Sequence, residues 1–574
     1  MTFTRPFAAA KRWLWLRNRR RLHQRELARA MPYPTWCERY DTLDAATKTA
    51  LRARLAGLGQ AREITLVMPL NAAQPAALST TLRSLQQQMY PQWRLVLSGT
   101  GDAEAMQWAA AAQAGDARVV QADAAAVPAE WQALTTAGEV WREHALLLLA
   151  EAVALRPDAR LVYADHDHIG SDGMRRDPVF KSDWNPELAL SHDCVGAPAL
   201  WRCERARAAL SASEHDALLQ GSEGLNADAV VHVPHVLLHR PADAPPLDAD
   251  AQAVARHLAR RGISANSELQ PFGVRVHFAL PAAQPRVSVV IPTRNGLALL
   301  RTCVEGVLHK TDYTALEVVI VDNGSDDPAC LRYLQHIAQD PRVRVRRDDG
   351  PFNYAALNNA AVAECTGDVI ALLNNDIEVT GPGWLREMVS LALLPGIGAV
   401  GAKLLYGDRS VQHAGVVLGV GGGAGHVLRR LPSNEGGYLG RAQRLQAVSA
   451  VTAACLVVRR DLYEAVGGLD AEHFAVAFND IDFCLRLRKR GLRNLYTPHA
   501  VLLHHESVSR GSDRAPAQQQ RFAAEQAAFH KRWGKLLQHD PAYNPNLTLH
   551  SENAGLADPP RVSLLRPWFD EIPS

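Results

Sequence analysis

The sequence predicts an α/β chain made of two tandem copies of one domain, each a parallel sheet with helices on both faces. Three observations predict it. Short β-branched apolar runs alternate with stretches of helical spacing, most clearly from Arg286 onward. Strings also recur at a long offset. ITLVMP (64–69) matches VSVVIP (287–292), 223 residues on (64 to 287), and the same offset carries Tyr90 onto Tyr313 and RLVL (94–97) onto EVVI (317–320). PHVLLH (234–239) returns as PHAVLLH (498–504), with one residue inserted. A period this long is no solenoid repeat. It marks a duplicated domain, about 61–282 and 285–515, with LPAAQP (280–285) as linker. A basic and Ala-rich helical region (1–60) precedes the copies, and a helix with a Pro/Asn-rich tail (516–574) follows them. A chain of 574 residues has room for this, since domains average about 150 residues.

The second copy reads element by element. RVSVVIP (286–292) is a strand and LALLRTCVEGVL (297–308) a helix. LEVVIVD (316–322) and RVRVRR (342–347) are further strands, with the helix DDPACLRYLQHI (326–337) between them. NYAALNNAAVAEC (353–365) is a third helix, and DVIALLNND (368–376) an apolar strand ending in polar residues. Ligands bind such sheets at the carboxyl ends of the strands. The polar row there is Thr293, Arg294, Asn295, Asp322, Asn323, Asn374, Asn375 and Asp376.

Composition narrows the function. Lys plus Arg (62) nearly balances Asp plus Glu (60), giving no reason to expect a nucleic-acid partner. Eight scattered cysteines without a C-x-x-C exclude a zinc ribbon or disulfide scaffold and favour reduced, cytosolic thiols. No apolar run reaches the ~18 residues of a membrane span, and Arg-rich sequence stands where a signal cleavage site would sit. Residues 1–30 hold nine Lys/Arg against Glu26, a balance of +8, around Trp13, Leu14, Trp15 and Leu16. That suits an interfacial anchor at the inner face of the cytoplasmic membrane. It equally suits a solvated helix whose tryptophans pack on the next domain.

Three strings carry chemistry. Asp376 closes a buried strand in NND, where a carboxylate can hold a divalent cation, Mg²⁺ or Mn²⁺, against a diphosphate; a strand-end turn capped by Asn and Asp reads the same way. In FNDIDFCLRLRKRG (478–491), Asp480 and Asp482 are two apart on a helix start and face different ways. One acid can serve as general base toward a sugar hydroxyl while the other orients a helix or an arginine. The alternative is a plain amphipathic helix with Asp482 paired to Arg486. HHESVSRG (504–511) follows an apolar strand, and a neutral imidazole there is a reasonable further metal ligand. Two strings imitate sites. GVGGGAG (419–425) resembles a dinucleotide fingerprint but lacks the acid about 20 residues on, and reads as a flexible loop over a site. ADHDHIG (164–170) imitates a metal cluster and reads as structural.

Together SVVIPTRNG, VVIVDNGSDD, DGPFNYAALNNAAV, LLNNDIEV, VGAKLLYGDRSVQHAGVVLG, SAVTAACLVVRR, FAVAFNDIDFCLRLRKRG and LHHESVSRG resemble family 2 glycosyltransferases of the GT-A fold. The nearest likeness is to bacterial rhamnosyltransferase-like enzymes that build O-antigen and other surface polysaccharides. The resemblance covers about 286–550 in order; the first half is fainter, through VYADHDHIGSDG and FKSDWNPELALS. It implies two tandem GT-A domains, Rossmann-like and made for nucleotide-diphospho-sugars, with the first degenerate. It implies an inverting, metal-dependent transferase moving a sugar from a UDP-, dTDP- or GDP-linked donor to a glycan or lipid-linked glycan. Pro292, Thr293, Asn295 and Asp322 would hold base and ribose, with Asn374 and Asn375 beside the diphosphate. Asp376 would be the metal carboxylate, and His504, or its neighbour His505, would complete the metal site. Asp480 would be the base, with Asn479, Asp482, Arg486 and His505 on the acceptor side or behind it. Asn374 and Asn375 leave one acid where many relatives have more, and Asn479 replaces a common Glu. Processive synthases of the same family carry Q-x-x-R-W; here Arg532 and Trp533 follow Phe529 in the glutamine place. The rival readings are a non-catalytic nucleotide-sugar-binding scaffold and a bifunctional enzyme.

The two copies predict which one works. At the offset of 223, Asp322 falls on Gly99. Matching ALLNNDIEV to QALTTAGEV puts Asp376 opposite Ala137, and NDID faces SEHD (213–216), Glu214 opposite Asp480. The first copy should therefore be silent.

Overall fold

A computed structural model describes residues 31–59, 62–71, 74–203, 213–246, 249–505 and 516–568. The basic segment 1–30, read above as either an anchor or a solvated helix packed on the next domain, lies outside them. The described residues fall into two compact units. One is built on His277–Asp540 and Thr548–Gly555, the other on Pro32–Val276, Pro541–Leu547 and Leu556–Ser574. The helices Tyr33–Tyr40 and Ala45–Gly57 thus belong with the first copy, and the C-terminal segment is divided between the units.

The larger sheet of the site-bearing unit runs, in spatial order, Val343–Arg347, Leu316–Asp322, Val287–Thr293, Val369–Leu373, Cys455–Arg459, Ile397–Leu405, Arg493–His504 and Ile377–Val379. The first four strands are parallel, with Val287 opposite Leu316 and Val369. Cys455–Arg459 then runs antiparallel to both neighbours, so the sheet is mixed and not purely parallel. The cause is the SAVTAACLVVRR strand, which enters the sheet from the opposite direction. Side chains alternate between two apolar layers. Val287, Val289 and Ile291 enter one cluster and Val290 the other, as expected where both faces are covered.

The other unit repeats the order strand for strand: Val119–Gln121, Trp93–Ser98, Ile64–Pro69, Trp131–Leu134, Ala199–Arg202, Leu161–Ile169, Val230–Pro241 and Val140–Trp141. Ile64 lies opposite Trp93 as Val287 lies opposite Leu316, so the 223-residue offset is also a sheet register. At the far edge the register changes one expectation. Val140 lies opposite His239 as Ile377 lies opposite His504. The residue before the edge strand is Asp376 in one copy and Glu139, not Ala137, in the other. The first copy therefore keeps a carboxylate there; its connection from Leu134 to Val140 is one residue longer than that from Leu372 to Ile377, which shifts it out of the sequence match.

Candidate active site

At the carboxyl ends of the parallel strands the site-bearing unit opens a cavity of about 650 Å³. That lies within the ~300–1,000 Å³ of small-molecule sites. Pro292, Thr293, Asn374, Asn375 and Asp376 line it, together with Arg294 and Asn323. Asn375 Nδ2 donates to Thr293 Oγ1 at 2.9 Å, tying two strand ends together. Asn295 and Asp322 stand outside the lining. Asn295, at φ 55°, donates from Nδ2 to Asp326 and accepts from the backbone of Asp326 and Asp327. Asp322 is buried and accepts from Ser325 N at 3.0 Å and Arg347 Nη1 at 2.6 Å. Both side chains brace the loop behind the cavity.

Asp376 is buried, with Oδ1 3.1 Å from His504 Nε2. The pair forms because the edge strand Ile377–Val379 pairs antiparallel with the last residues of the strand Arg493–His504, setting Ile377 against His504. His504 Nδ1 lies 2.7 Å from Gln412 Oε1. With that oxygen accepting, a neutral imidazole keeps its lone pair on Nε2, toward Asp376. Two ligands on adjacent corners of an octahedron with bonds of ~2.1 Å stand about 3 Å apart, so the pair fits one divalent cation. Among the described residues no group of three or more His, Cys, Asp or Glu gathers as a cage. A cation here takes its remaining ligands from substrate and water. His505 turns away, Nε2 to Glu378 at 2.8 Å.

Asp480 and Asp482 open the helix Asn479–Lys489, whose preceding residue, Phe478, is left-handed at φ 62°. Asp480 is half-buried and lies three residues past Ala477, which lines the cavity with Val476. Its oxygens accept from Ala453 N at 3.0 Å and Ile481 N at 2.9 Å. Burial pushes its carboxyl above the ordinary carboxylate range, against the hydrogen bonds from Ala453, Ile481 and Thr452 that pull it back. Asp482 is fully buried and structural. It accepts from Arg486 Nε at 2.7 Å, Arg532 Nη1 at 2.8 Å and Trp533 Nε1 at 3.0 Å. Arg486 also reaches Gly468 O, and Asn479 Nδ2 donates to Val476 O at 2.8 Å.

The sequence reading missed the helix Pro516–Trp533 as part of the site. Gln518, Gln519, Arg521 and Phe522 line the cavity, and buried Glu525 accepts from Val476 N and Ala477 N at 3.0 and 2.9 Å. The only signal was the Arg532–Trp533 pair, whose partner Asp482 sequence alone does not reveal. Phe352 and Tyr354 complete that side of the lining.

The imitating strings resolve as well. GVGGGAG turns an antiparallel hairpin, Val416–Leu418 with Ala424–His426, so no helix receives a phosphate. It is held by Asp540 and by backbone bonds, Leu418 N donating to Asp540 Oδ2 at 2.7 Å and Gly421 N to Leu549 O. A Cβ on Gly419 would meet Leu537 O at 2.3 Å. The acids of ADHDHIG are wholly buried in partners. Asp165 meets His232 and Asn544, and Asp167 meets Arg175, His239 and Tyr33. In the same unit Glu139, Asp193, Glu214 and Arg240 line a cavity of only about 80 Å³. Glu139 is already bonded to Thr135 and Thr136.

The profile of Glycosyl transferase family 2 matches residues 288–467. An uncharacterized protein of Sinorhizobium fredii, y4gI, is 39% identical over 534 residues, 86% of this chain and 59% of its own length. The O-antigen biosynthesis protein RfbC of Myxococcus xanthus is 35% identical over 560 residues, 91% of this chain and 43% of its own. The chain thus spans about half the length of these two relatives. The N-acetylglucosaminyl-diphospho-decaprenol L-rhamnosyltransferase of Mycobacterium tuberculosis is 30% identical over 219 residues, 35% of this chain and 70% of its own.

Proposed function

The chain belongs to glycosyl transferase family 2, and from that membership we propose that its second copy transfers a sugar, with inversion, from a nucleoside diphosphate to a glycan or lipid-linked glycan. The product would be a cell-surface polysaccharide of the O-antigen kind. One observation carries this reading: a nucleotide-sized cavity at the strand ends is lined by Asp376, against which His504 stands, with the half-buried Asp480 three residues past the lining residue Ala477.

Pro292, Thr293, Asn374 and Asn375 bind and orient the donor, while Asn295 and Asp322 keep the loop behind them in place. Asp376 and His504 would hold Mn²⁺ or Mg²⁺, which would supply Lewis-acid neutralisation of the departing diphosphate. Asp480 takes the proton of the acceptor hydroxyl as its oxygen bonds to the anomeric carbon. The bond from that carbon to the diphosphate breaks on the opposite face. A carboxylate with a raised pKa is the better base for a weakly acidic alcohol. The names of the Myxococcus and Mycobacterium relatives, an O-antigen biosynthesis protein and a rhamnosyltransferase acting on a decaprenol diphosphate, support a surface-polysaccharide product and a lipid-diphosphate acceptor. Work at the inner membrane face agrees with the +8 balance of residues 1–30, and no helix among the described residues is long and apolar enough to cross a membrane.

The test is a transfer and donor-hydrolysis screen over UDP-, dTDP- and GDP-sugars with Mn²⁺ or Mg²⁺. Turnover of one donor, abolished by EDTA, is expected. Full turnover in EDTA would remove the metal from the reading, and binding of a donor without turnover on any acceptor would favour a scaffold.

A further inference from the structure

The cavity has a second set of lining residues that comes from no strand end. Gln518, Arg521 and Phe522 lie on the helix Pro516–Trp533 at three- and four-residue steps, so they share one face. Among the described residues seven large apolar side chains stand exposed. The two aromatic ones are Phe352, 42% exposed, and Phe522, 48% exposed, and both line this cavity. Exposed rings at a cavity rim mark a surface kept for a ligand. Beside them, Arg521 Nε and Gln518 Oε1 are buried with no hydrogen-bond partner among the described residues. The nearest carboxylate oxygen to Arg521 Nε, Glu525 Oε1 at 4.0 Å, already accepts from Val476 N. The position of the wall is also informative. The Phe522 ring stands 5.6 Å from that of Phe478, two residues ahead of Asp480. The wall therefore packs on the residue that leads into the Asn479–Lys489 helix start, whereas the polar strand ends adjoin Asp376.

We infer that this helix face is the acceptor subsite, and that it takes a pyranose joined to an anionic group. The C–H face of the sugar lies on Phe522 and Phe352, where the negative ring faces attract it. The anionic group pairs with Arg521, whose guanidinium fork suits phosphate or carboxylate, and Gln518 accepts from a sugar hydroxyl. The inference rests on reading the strand-end row as the donor site. The same anionic chemistry has two sources, the diphosphate of a lipid-linked sugar or the carboxylate of an acidic sugar.

Calorimetry on the full chain, with Mn²⁺ and nucleoside diphosphate present, separates them. The probes are undecyl N-acetylglucosaminyl diphosphate, octyl glucuronide and neutral octyl glucoside. One anionic probe should bind near one per chain and the neutral glycoside about tenfold or more weaker. Arg521→Ala should weaken the anionic probe about tenfold, with Arg521→Lys recovering part. Phe522→Ala and Phe522→Leu should both weaken it, since leucine restores bulk without a flat face. Thermal melting confirms that the variants are folded. No binding of either anionic probe, equal binding of the neutral one, or indifference to Arg521 and Phe522 would overturn the inference. Loss of nucleotide binding in Arg521→Ala, with probe binding kept, would assign the arginine to the donor and overturn it too. The donor reading fails separately, if Asp376→Ala binds nucleotide as wild type does.

Discussion

Asp480 rests its carboxylate on the backbone N–H groups of Ala453 and Ile481, whereas Asp482, two positions on, accepts from three side chains. The first arrangement leaves a carboxylate with a raised pKa near the cavity; the second leaves nothing to spare for substrate. Asp480→Asn should lower kcat by ~10² or more with the donor KM within a fewfold. Steady-state kinetics with saturating donor decides it, and wild-type turnover would remove Asp480 from the mechanism. The base works ionised, so kcat/KM should fall as pH drops through a value above the ordinary carboxylate range of about 3.9. A pH profile with no acid limb above that range would contradict the assignment. Asp376→Ala should weaken Mn²⁺ and nucleotide together, because each supplies ligands to the other. Equilibrium dialysis in which one binds normally without the other would break that coupling.

The helix Pro516–Trp533 grips the site at two places. Glu525 holds the backbone of Val476 and Ala477, and Arg532 with Trp533 holds Asp482. Asp482→Ala leaves the buried indole N–H of Trp533 without its acceptor, while Arg486 keeps Gly468 O and Arg532 keeps Asp470, which costs about 1–3 kcal/mol. A lower urea midpoint at unchanged slope is expected, and an unchanged midpoint would show the clamp to be idle. A second prediction concerns the hairpin that carries the glycine turn. His413 and His426 meet Nδ1 to Nδ1 at 2.8 Å, so one Nδ1 donates and the other, unprotonated, accepts. Burial lowers both, His426 to about 4. The folded state then binds fewer protons than the unfolded one. Stability is full above about 6.5, the unfolded value, and is lost as pH falls toward about 4. Urea melts at pH 7.5, 6 and 5 should show this fall, and His426→Gln should flatten it. Equal slopes for wild type and variant would assign the effect elsewhere.

Two units share one strand order, yet their cavities differ, about 650 Å³ against about 80 Å³. The smaller lies far below the ~300 Å³ at which ligand sites begin. Gly99 also stands in the place of Asp322, so the carboxylate that braces the loop behind the larger cavity has no counterpart there. We propose that the first copy is silent although it keeps a carboxylate at Glu139. Nucleotide titration should then saturate at one per chain, and Glu139→Ala should leave that number and the transfer rate as they are. A second equivalent of bound nucleotide, lost in Glu139→Ala, would make the first copy a working site.

The alternation of β-branched runs with helical stretches marked the strands as they stand, and the repeat at 223 residues proved to be a sheet register. Asp376 and His504 were legible because both close apolar strands, and a strand end points to the ligand edge of such a sheet. Periodicity reports which face is buried, but not what covers it. It therefore could not show that Cys455–Arg459 runs antiparallel, or that Glu139 takes the place of Asp376 across a connection one residue longer. Nor could it show that Asn295 and Asp322 brace a loop, because a polar strand-end residue looks the same whether it meets a ligand or the backbone behind. The Glu525 brace and the anchoring of Asp482 join residues about fifty positions apart, and the wall of Phe352 and Phe522 joins residues 170 apart. Such pairings are decided by which surfaces the sheet brings together on closing, a long-range outcome that no local pattern encodes.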